Sequence, residues 1–323
     1  MKVIFLFLAL ALSFAELGYS QDAAEVTKFP SRPITLIIPL PAGTVADLAM
    51  RVLAKDAQKH LGQPLVVVNR PGGGGSIGVA AIASAKPDGY TVGVATHSAL
   101  YMVPLLEKVP YHPLNDLKPI VQFSSFYLGG FVMADSPFKS FGDLIAYARE
   151  NPRKVTYGDV GQSSMQNVLM EYVAKQAKVQ LTHIPFKGTP EVQAALLGRH
   201  IMLGVAEANY GFFQAGQAKL LFFMSDERSP EFPQVPTLKD LGYSLRCPTP
   251  LIVAGPKGMP EGIAKKLELA FTNMMKEPGF IKAMKEDIHQ PIIYRNSQEL
   301  SEYMSSTFEY FSNFIKENKR GLH

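Results

Sequence analysis

Two short stretches hold the residues best placed to do chemistry, Gly43-Thr44-Val45-Ala46-Asp47 and Asp159-Val160-Gly161-Gln162-Ser163-Ser164. Each sets a hydroxyl and a carboxylate at the start of an apolar run spaced for a helix. A helix N-terminus presents N–H groups that lack intrahelical acceptors, and the helix dipole adds to their pull on an anion. The chemistry predicted is the holding of an oxyanion such as a carboxylate, with no bond making. Both stretches also read as structural caps. Thr44 and Asp47 have the spacing of a capping box, and so do Ser163 and Gln166. With Ser163 as the N-cap, Ser164 is left to face a ligand. Asp159 reads either as a solvated loop residue or as a carboxylate at a cleft mouth, where it would repel a dianion by about 1 kcal/mol. Lys187 and Arg199 either hold a ligand carboxylate or lie exposed.

Other chemistries lack their residues. None of the seven histidines has ligand spacing on a helix, no HExxH occurs, and Cys247 is the single cysteine. No metal site is expected, and Cys247 reads as a small buried hydrophobe. Gly161-Gln162-Ser163-Ser164-Met165 lacks the second glycine of a nucleophile elbow, and His97 beside Ser98 is adjacency without a triad. A secreted hydrolase on Ser98 or Ser163 is therefore the rival reading, and the chain is expected not to be an enzyme. Gly73-x-Gly75-x-x-Gly78 matches the dinucleotide fingerprint literally. The following strand ends at Ala95-Thr96-His97, with no carboxylate for a ribose, so close backbone packing explains these glycines better and no cofactor is expected.

The elements that must position the two stretches follow from periodicity. Ile34 to Ile38 is β-branched and too short for a helix, and Pro39, Pro41 and Gly43 stop it. Leu48, Ala49, Val52, Leu53, Ala57 and Leu61 make a helical stripe that ends at Gly62. Leu65 to Asn69 is a second strand, Ser76 caps a helix to Ala85, and Tyr90 to Thr96 is a third strand. Pro104 to Pro119 reads as irregular, followed by strands at 120–123 and 127–133. The pattern then repeats: helix Phe141 to Glu150, strand Val155 to Gly158, a glycine loop, and a helix from Ser163 with Met165, Val168, Leu169, Tyr172 and Val173 on one face. Strand 180–184, a helix to Leu197, strand 201–206, a polar and aromatic loop 207–213, and strands 220–224 and 251–254 come next. Helices start near Pro260, Pro278 and Asn296, the last expected to pack along the first lobe. Alternating strands and helices predict parallel strands. Two such series joined by crossings near 123–134 and 225–250 predict a bilobed α/β clamshell with the ligand between the lobes. The aromatics Tyr127, Phe186, Tyr210, Phe212 and Phe213 read as core, with 210–213 near the cleft.

At 323 residues and 47% apolar, the chain can bury a sizeable core. Lys2 followed by the uncharged run Val3 to Ala15 reads as a secretory signal peptide over residues 1–20, so a periplasmic location is expected. The net charge of +4 is spread along the sequence, which falls short of a nucleic-acid footprint.

The ordered motifs PITLIIPLPAG, GQPLVVVNRPGGGGSIG, KPDGYTV, YGDVG, HIPFKGTPE, QVPTLKDLGY and VAGPKGMPEGIAKKL make the chain similar to the receptors of tripartite tricarboxylate transporters, the Bug receptors. The resemblance runs from about Phe29 to the C-terminus. It implies an α/β, type II periplasmic-binding-protein-like fold with two βα lobes, joined by two crossover segments around a ligand cleft. Residues 21–124 with 228–323 would form lobe 1, and residues 125–227 lobe 2. It also implies capture of a small organic acid and delivery to a permease of one large and one small subunit. A membrane sensor kinase is the alternative partner, and a monomer is expected. The residues implied at the ligand are Pro41, Ala42, Gly43, Thr44 and Asp47; Thr96 and Ser98; Asp159, Gly161, Ser163, Ser164 and Asn167; and Glu207 and Asn209. The chain departs from the family pattern at Asp159, where a serine is usual, at Ser163, where a glycine is usual, and at Asn167, where a histidine is usual.

Overall fold

The computed structural model describes residues 28–225 and 227–318; the signal-peptide reading of residues 1–20 falls outside them. Strand β1 (Ile34–Ile38) buries Leu36, Ile37 and Ile38, as suits a β-branched strand covered on both faces. The loop Pro39–Gly43 leads into helix α1 (Val45–Ala54), which buries Val45, Ala46, Ala49, Met50 and Leu53. The apolar stripe predicts one helix to Leu61. The chain breaks it at Lys55 and Asp56, and a separate α2 (Ala57–Leu61) ends on left-handed Gly62. After β2 (Leu65–Asn69), a 3-10 turn at Gly73–Gly75 feeds α3 (Ser76–Ala83) and then β3 (Thr91–Thr96). Ser76 is not the cap expected: left-handed Gly75 (φ 94°) holds that position. A Cβ at Gly78 would lie 2.7 Å from the Cα of Pro39, so the helix can approach the β1 exit only without a side chain there.

A turn of π-helix at Ser98–Met102 and α4 (Val103–Leu106) carry the chain into the stretch expected to be irregular. Strand β4 (Leu117–Ser125) passes directly into β5 (Leu128–Met133). Helix α5 (Phe141–Glu150) begins with a complete Ser140–Asp143 capping box. Then come β6 (Thr156–Asp159), α6 (Met165–Ala177), β7 (Thr182–Pro185), α7 (Thr189–Leu197) and β8 (Leu203–Glu207). The aromatic segment expected as a loop forms a short helix, α8 (Tyr210–Gln214). Strands β9 (Ala218–Phe223) and β10 (Pro250–Pro256), helices α9 (Glu261–Met274) and α10 (Pro278–Lys282), strand β11 (Ile292–Arg295) and helix α11 (Ser297–Asn318) complete the chain. No described helix is long and apolar enough to cross a membrane.

The strands form two sheets, in the orders β11-β4-β10-β3-β1-β2 and β7-β6-β8-β5-β9. The parallel pairing predicted from βα alternation holds for β2-β1-β3 and β7-β6-β8. The remaining pairings, which involve β4, β5, β9, β10 and β11, are antiparallel. Each sheet thus contains the same unit, a strand, a helix, a parallel neighbour, a helix and a second parallel neighbour on the other side. The unit repeats in topology although its side chains show no repeat. Helix α11 packs on β4, β11 and the turn at 98–102 in the first sheet, and it also reaches the second lobe, where Phe314 packs against Tyr172. Cys247 is buried with its Sγ 3.9 Å from the Sδ of Met165.

Candidate functional site

The two sheets meet at the C-terminal ends of their parallel strands. There the β1–α1 loop faces the β6–α6 loop, and the exit of β3 faces the exit of β8. Between them is a cavity of about 20 Å³ lined by Leu40, Thr44, Gly74, Thr96, His97 and Ser98 on one side. Phe126 lies at the crossing, and Val160, Gln166, Thr189 and Glu207 line the other side. That volume holds about one water. Two glycines leave room for the lobes to come together. A Cβ at Gly188 would come within 2.8 Å of Pro41, and one at Gly161 within 3.8 Å of the Gly74 nitrogen.

At α1, Thr44 is the N-cap, but its hydroxyl donates to the Pro41 carbonyl (2.9 Å) rather than accepting from the helix. The expected capping box is therefore only half made, through Asp47, whose Oδ2 accepts from the Gly43 N–H at 3.0 Å. Asp47 is buried and fully engaged: Arg51 Nε reaches it at 3.0 Å and Asn69 Nδ2 at 2.8 Å. Burial alone would raise its pKa, but Arg51, the Gly43 N–H and Asn69 outweigh burial and hold it below the usual range. Its carboxylate fastens the loop, and it is not among the cavity-lining side chains.

At α6 the cap is Ser164, not Ser163: its Oγ accepts from the Asn167 N–H at 3.0 Å. The helix begins at Met165, so Ser164 is turned to the backbone and Ser163 is the residue left over. Ser163 bonds Glu107 across the lobes. Asn167 accepts from the Tyr157 hydroxyl (2.5 Å) and donates to the Gln162 carbonyl (2.7 Å). Asp159 is not a solvated loop residue. It ends β6 fully buried, accepts from the Gly161 N–H at 2.9 Å and lies 3.0 Å from His183 Nε2. Burial raises its pKa against the opposing pull of His183 and that N–H. Arg199 pairs with Asp135 at the surface and Lys187 is exposed.

Of the candidate residues, Thr44, Thr96, Ser98 and Glu207 line the cavity. Pro41, Ala42 and Gly43 lie in the loop between the lining residues Leu40 and Thr44 and are not themselves lining residues. Asp47, Asp159, Gly161, Ser163, Ser164 and Asn167 build the two loops, and Asn209 caps α8. Of Tyr210, Phe212 and Phe213, none lines the cavity. The latter two pack on Phe131, and Tyr210 stacks on His289. Sequence reasoning missed Leu40, Gly74, Phe126, Val160, Gln166 and Thr189 as lining residues and did not assign His97. Leu40, Val160 and Gln166 adjoin candidate residues in sequence and Gly74 lies in the glycine run, whereas no local signal marks Phe126 or Thr189.

The chemistry of the lining is unusual for its burial. The Thr96 and Thr189 hydroxyls have no hydrogen-bond partner within the protein, and the His97 ring nitrogens and Gln166 Oε1 find none except each other. Such groups stay buried at a cost unless something else bonds them. His97, edge-on to Phe126, has its pKa lowered to about 4 by burial and is neutral at physiological pH. No lysine or arginine is among the lining residues. The site is thus built to give neutral hydrogen bonds from several directions to a polar guest that two lobes enclose.

Two βα lobes with facing helix N-termini define a periplasmic-binding-protein-type solute receptor, a class that binds without bond making. The profile of the tripartite tricarboxylate transporter family receptor matches residues 49–320, and the chain belongs to that family. A Cupriavidus necator relative, the UPF0065 protein in the gbd 5' region, is 38% identical over 286 residues, covering 88% of this chain and 86% of its own. The periplasmic binding protein BugD has the same fold with a TM-score of 0.81 at 25% identity, covering 90% of this chain and 98% of its own. MatC of Rhodopseudomonas palustris, solved with bound malate, has a TM-score of 0.81 at 22% identity over 89% of this chain and all of its own, a likeness of fold alone.

Proposed function

We propose that the mature chain works in the periplasm, where it closes its two lobes on one small organic carboxylate and passes it to the membrane subunits of a tripartite transporter. The lobes in this reading are residues 21–124 with 228–323 and residues 125–227, hinged where β4 runs into β5 and where β9 returns to β10. The observation that carries it is the ring of buried polar groups around the interlobe cavity, the unpartnered Thr96 and Thr189 hydroxyls and the His97–Gln166 pair, set between two helix N-termini. Preorganised neutral donors suit a carboxylate that must be released again, since a buried arginine pair would hold it more tightly. Malate in MatC is a property of that protein; here it supports only the choice of small acids as the first compounds to test. The contacts proposed on the ligand are Thr44, Thr96, Ser98 and Glu207, with the loops of Gly43 and Gly161 behind them.

The test is a thermal-shift screen of residues 21–323 against mono-, di- and tricarboxylates, amino acids and sugars. A ligand that binds the folded state at 100 times its Kd adds about 2.7 kcal/mol and raises the midpoint. A rise confined to carboxylates is expected. A rise with sugars alone, or with none of the panel, overturns the ligand class.

A further inference from the structure

The two helix N-termini that face the cleft are each already occupied, and each by the opposite lobe. The first N–H of α1, from Val45, donates to Glu207 Oε2 at 3.2 Å, and Glu207 is the last residue of β8. The first N–H of α6, from Met165, donates to Ser98 Oγ at 3.1 Å, just past the end of β3. Since β1–α1 and β6–α6 are corresponding units of the repeat, and β3 and β8 correspond as well, the two bonds form a reciprocal pair across the cleft. One member is a hydroxyl. The other is a carboxylate, the same chemical group the cleft is proposed to capture. We propose that Glu207 is a built-in ligand: its carboxyl group fills the anion corner of the first lobe, latches the closed lobes through the Val45 N–H in the absence of solute, and in its ionised form competes with any incoming acid. The inference rests on the carboxylate-receptor reading and deepens it.

Several independent features support the latch. Glu207 is only 6% exposed, so its bond to the Val45 N–H is shielded from competing water, while its ionised form there has only that N–H and nearby dipoles to receive the charge. The unpartnered Thr96 and Thr189 hydroxyls and the His97–Gln166 pair line the same cavity, so the corner is part of a polar site and more than a helix end. The titratable groups around Glu207 are few. His97 on the β3 exit is the other one lining the cavity, Asp47 on α1 is held by Arg51, Asp159 on β6 lies against His183, and the pairing neighbour on β5 is apolar Leu128. Among the described residues lining the cavity, no lysine or arginine offsets a second negative charge. A dicarboxylate placing one end at α1 therefore meets Glu207, while a monoacid with a hydroxyl or ammonium donor at its other end can bond it. Burial brings the Glu207 carboxyl to a pKa of about 7, with the Val45 N–H opposing; its protonation at mildly acid pH removes the repulsion.

The experiment compares wild type, Glu207→Gln and Glu207→Ala by calorimetric titration with lactate, succinate and adipate at pH 6 and pH 8, and by small-angle scattering without solute. Glu207→Gln keeps the shape and the acceptor but removes the charge. Expected for succinate and adipate is at least tenfold tighter binding to Glu207→Gln than to wild type at pH 8, with the gap closing at pH 6. Expected for Glu207→Ala is a larger radius of gyration than wild type. Equal dicarboxylate constants in wild type and Glu207→Gln, with unchanged scattering of Glu207→Ala, overturn the latch and leave the receptor reading standing. If no acid binds any of the three proteins, the carboxylate reading falls, and the scattering comparison alone decides whether Glu207 holds the lobes together.

Discussion

Glu207 and Asp47 are both buried carboxylates, and their surroundings push them in opposite directions. Asp47 has Arg51, Asn69 and the Gly43 N–H, which together outweigh burial and lower its pKa. Glu207 has one N–H, and burial wins, raising it to about 7 from an ordinary value of 4.5. A raised carboxyl pKa means the folded state binds the proton more tightly than the unfolded one. Glu207 is therefore harmless below about pH 4.5, and its ionisation cost grows as pH rises through about 7. Glu207→Gln should accordingly gain stability over wild type between pH 5 and pH 8 by a few kcal/mol, at about 1.4 kcal/mol per pKa unit, read from urea unfolding at each pH. A constant difference across that range would show that Glu207 does not titrate there. For Asp47 the sign reverses: its contribution is present above the ordinary value near 3.8 and is lost as pH falls below it. Asp47→Ala strips a buried charge partner and leaves the Gly43 N–H without its acceptor, so a loss of about 2–4 kcal/mol at pH 7 is expected from the same urea measurement.

Among the elements, α6 depends on its cap and the cleft on its glycines. Ser164→Ala removes the bond to the Asn167 N–H, a loss of about 1 kcal/mol typical of an N-cap and measurable as a lower denaturant midpoint at unchanged slope. Gly188 is a different case. Its φ of 178° is ordinary extended backbone, yet a side chain there meets Pro41 of the other lobe at 2.8 Å. Gly188→Val should therefore spare each lobe's packing while propping the lobes apart, so ligand affinity should drop with little change in urea stability. An unaltered dissociation constant would mean that Pro41 yields without cost.

For the whole molecule, the net charge of +4 is spread out and no basic residue lines the cavity. Long-range steering of an anionic solute should then be weak. Between about 10 mM and 150 mM salt, where the Debye length shrinks from about 30 Å to about 8 Å, the stopped-flow association rate should change by less than about threefold. A tenfold fall would reveal a focused positive field that the lining does not display.

Much of the architecture was legible because it depends on short-range patterns. Ile34–Ile38, Leu65–Asn69 and Phe141–Glu150 have the periodicity and stop signals that local backbone physics requires, and the structure keeps those limits. The ordered motifs carried the family and the bilobed plan. Other features were out of reach of local pattern. Strand β11 is half exposed and exists because β4 offers it an edge. The antiparallel placement of β10 and β5 inside their sheets depends on how distant segments meet. The shift of the α6 cap from Ser163 to Ser164 was settled by a loop geometry that spacing alone leaves degenerate. The site divides along the same line. Sequence determined that two helix N-termini with nearby hydroxyls and carboxylates exist, because capping chemistry is written within four residues. Only the tertiary structure decided that Asp47 and Asp159 serve their own loops while Glu207, 162 residues from Val45, closes the first lobe's anion corner, because a hydrogen bond across a cleft depends on the docking of two sheets.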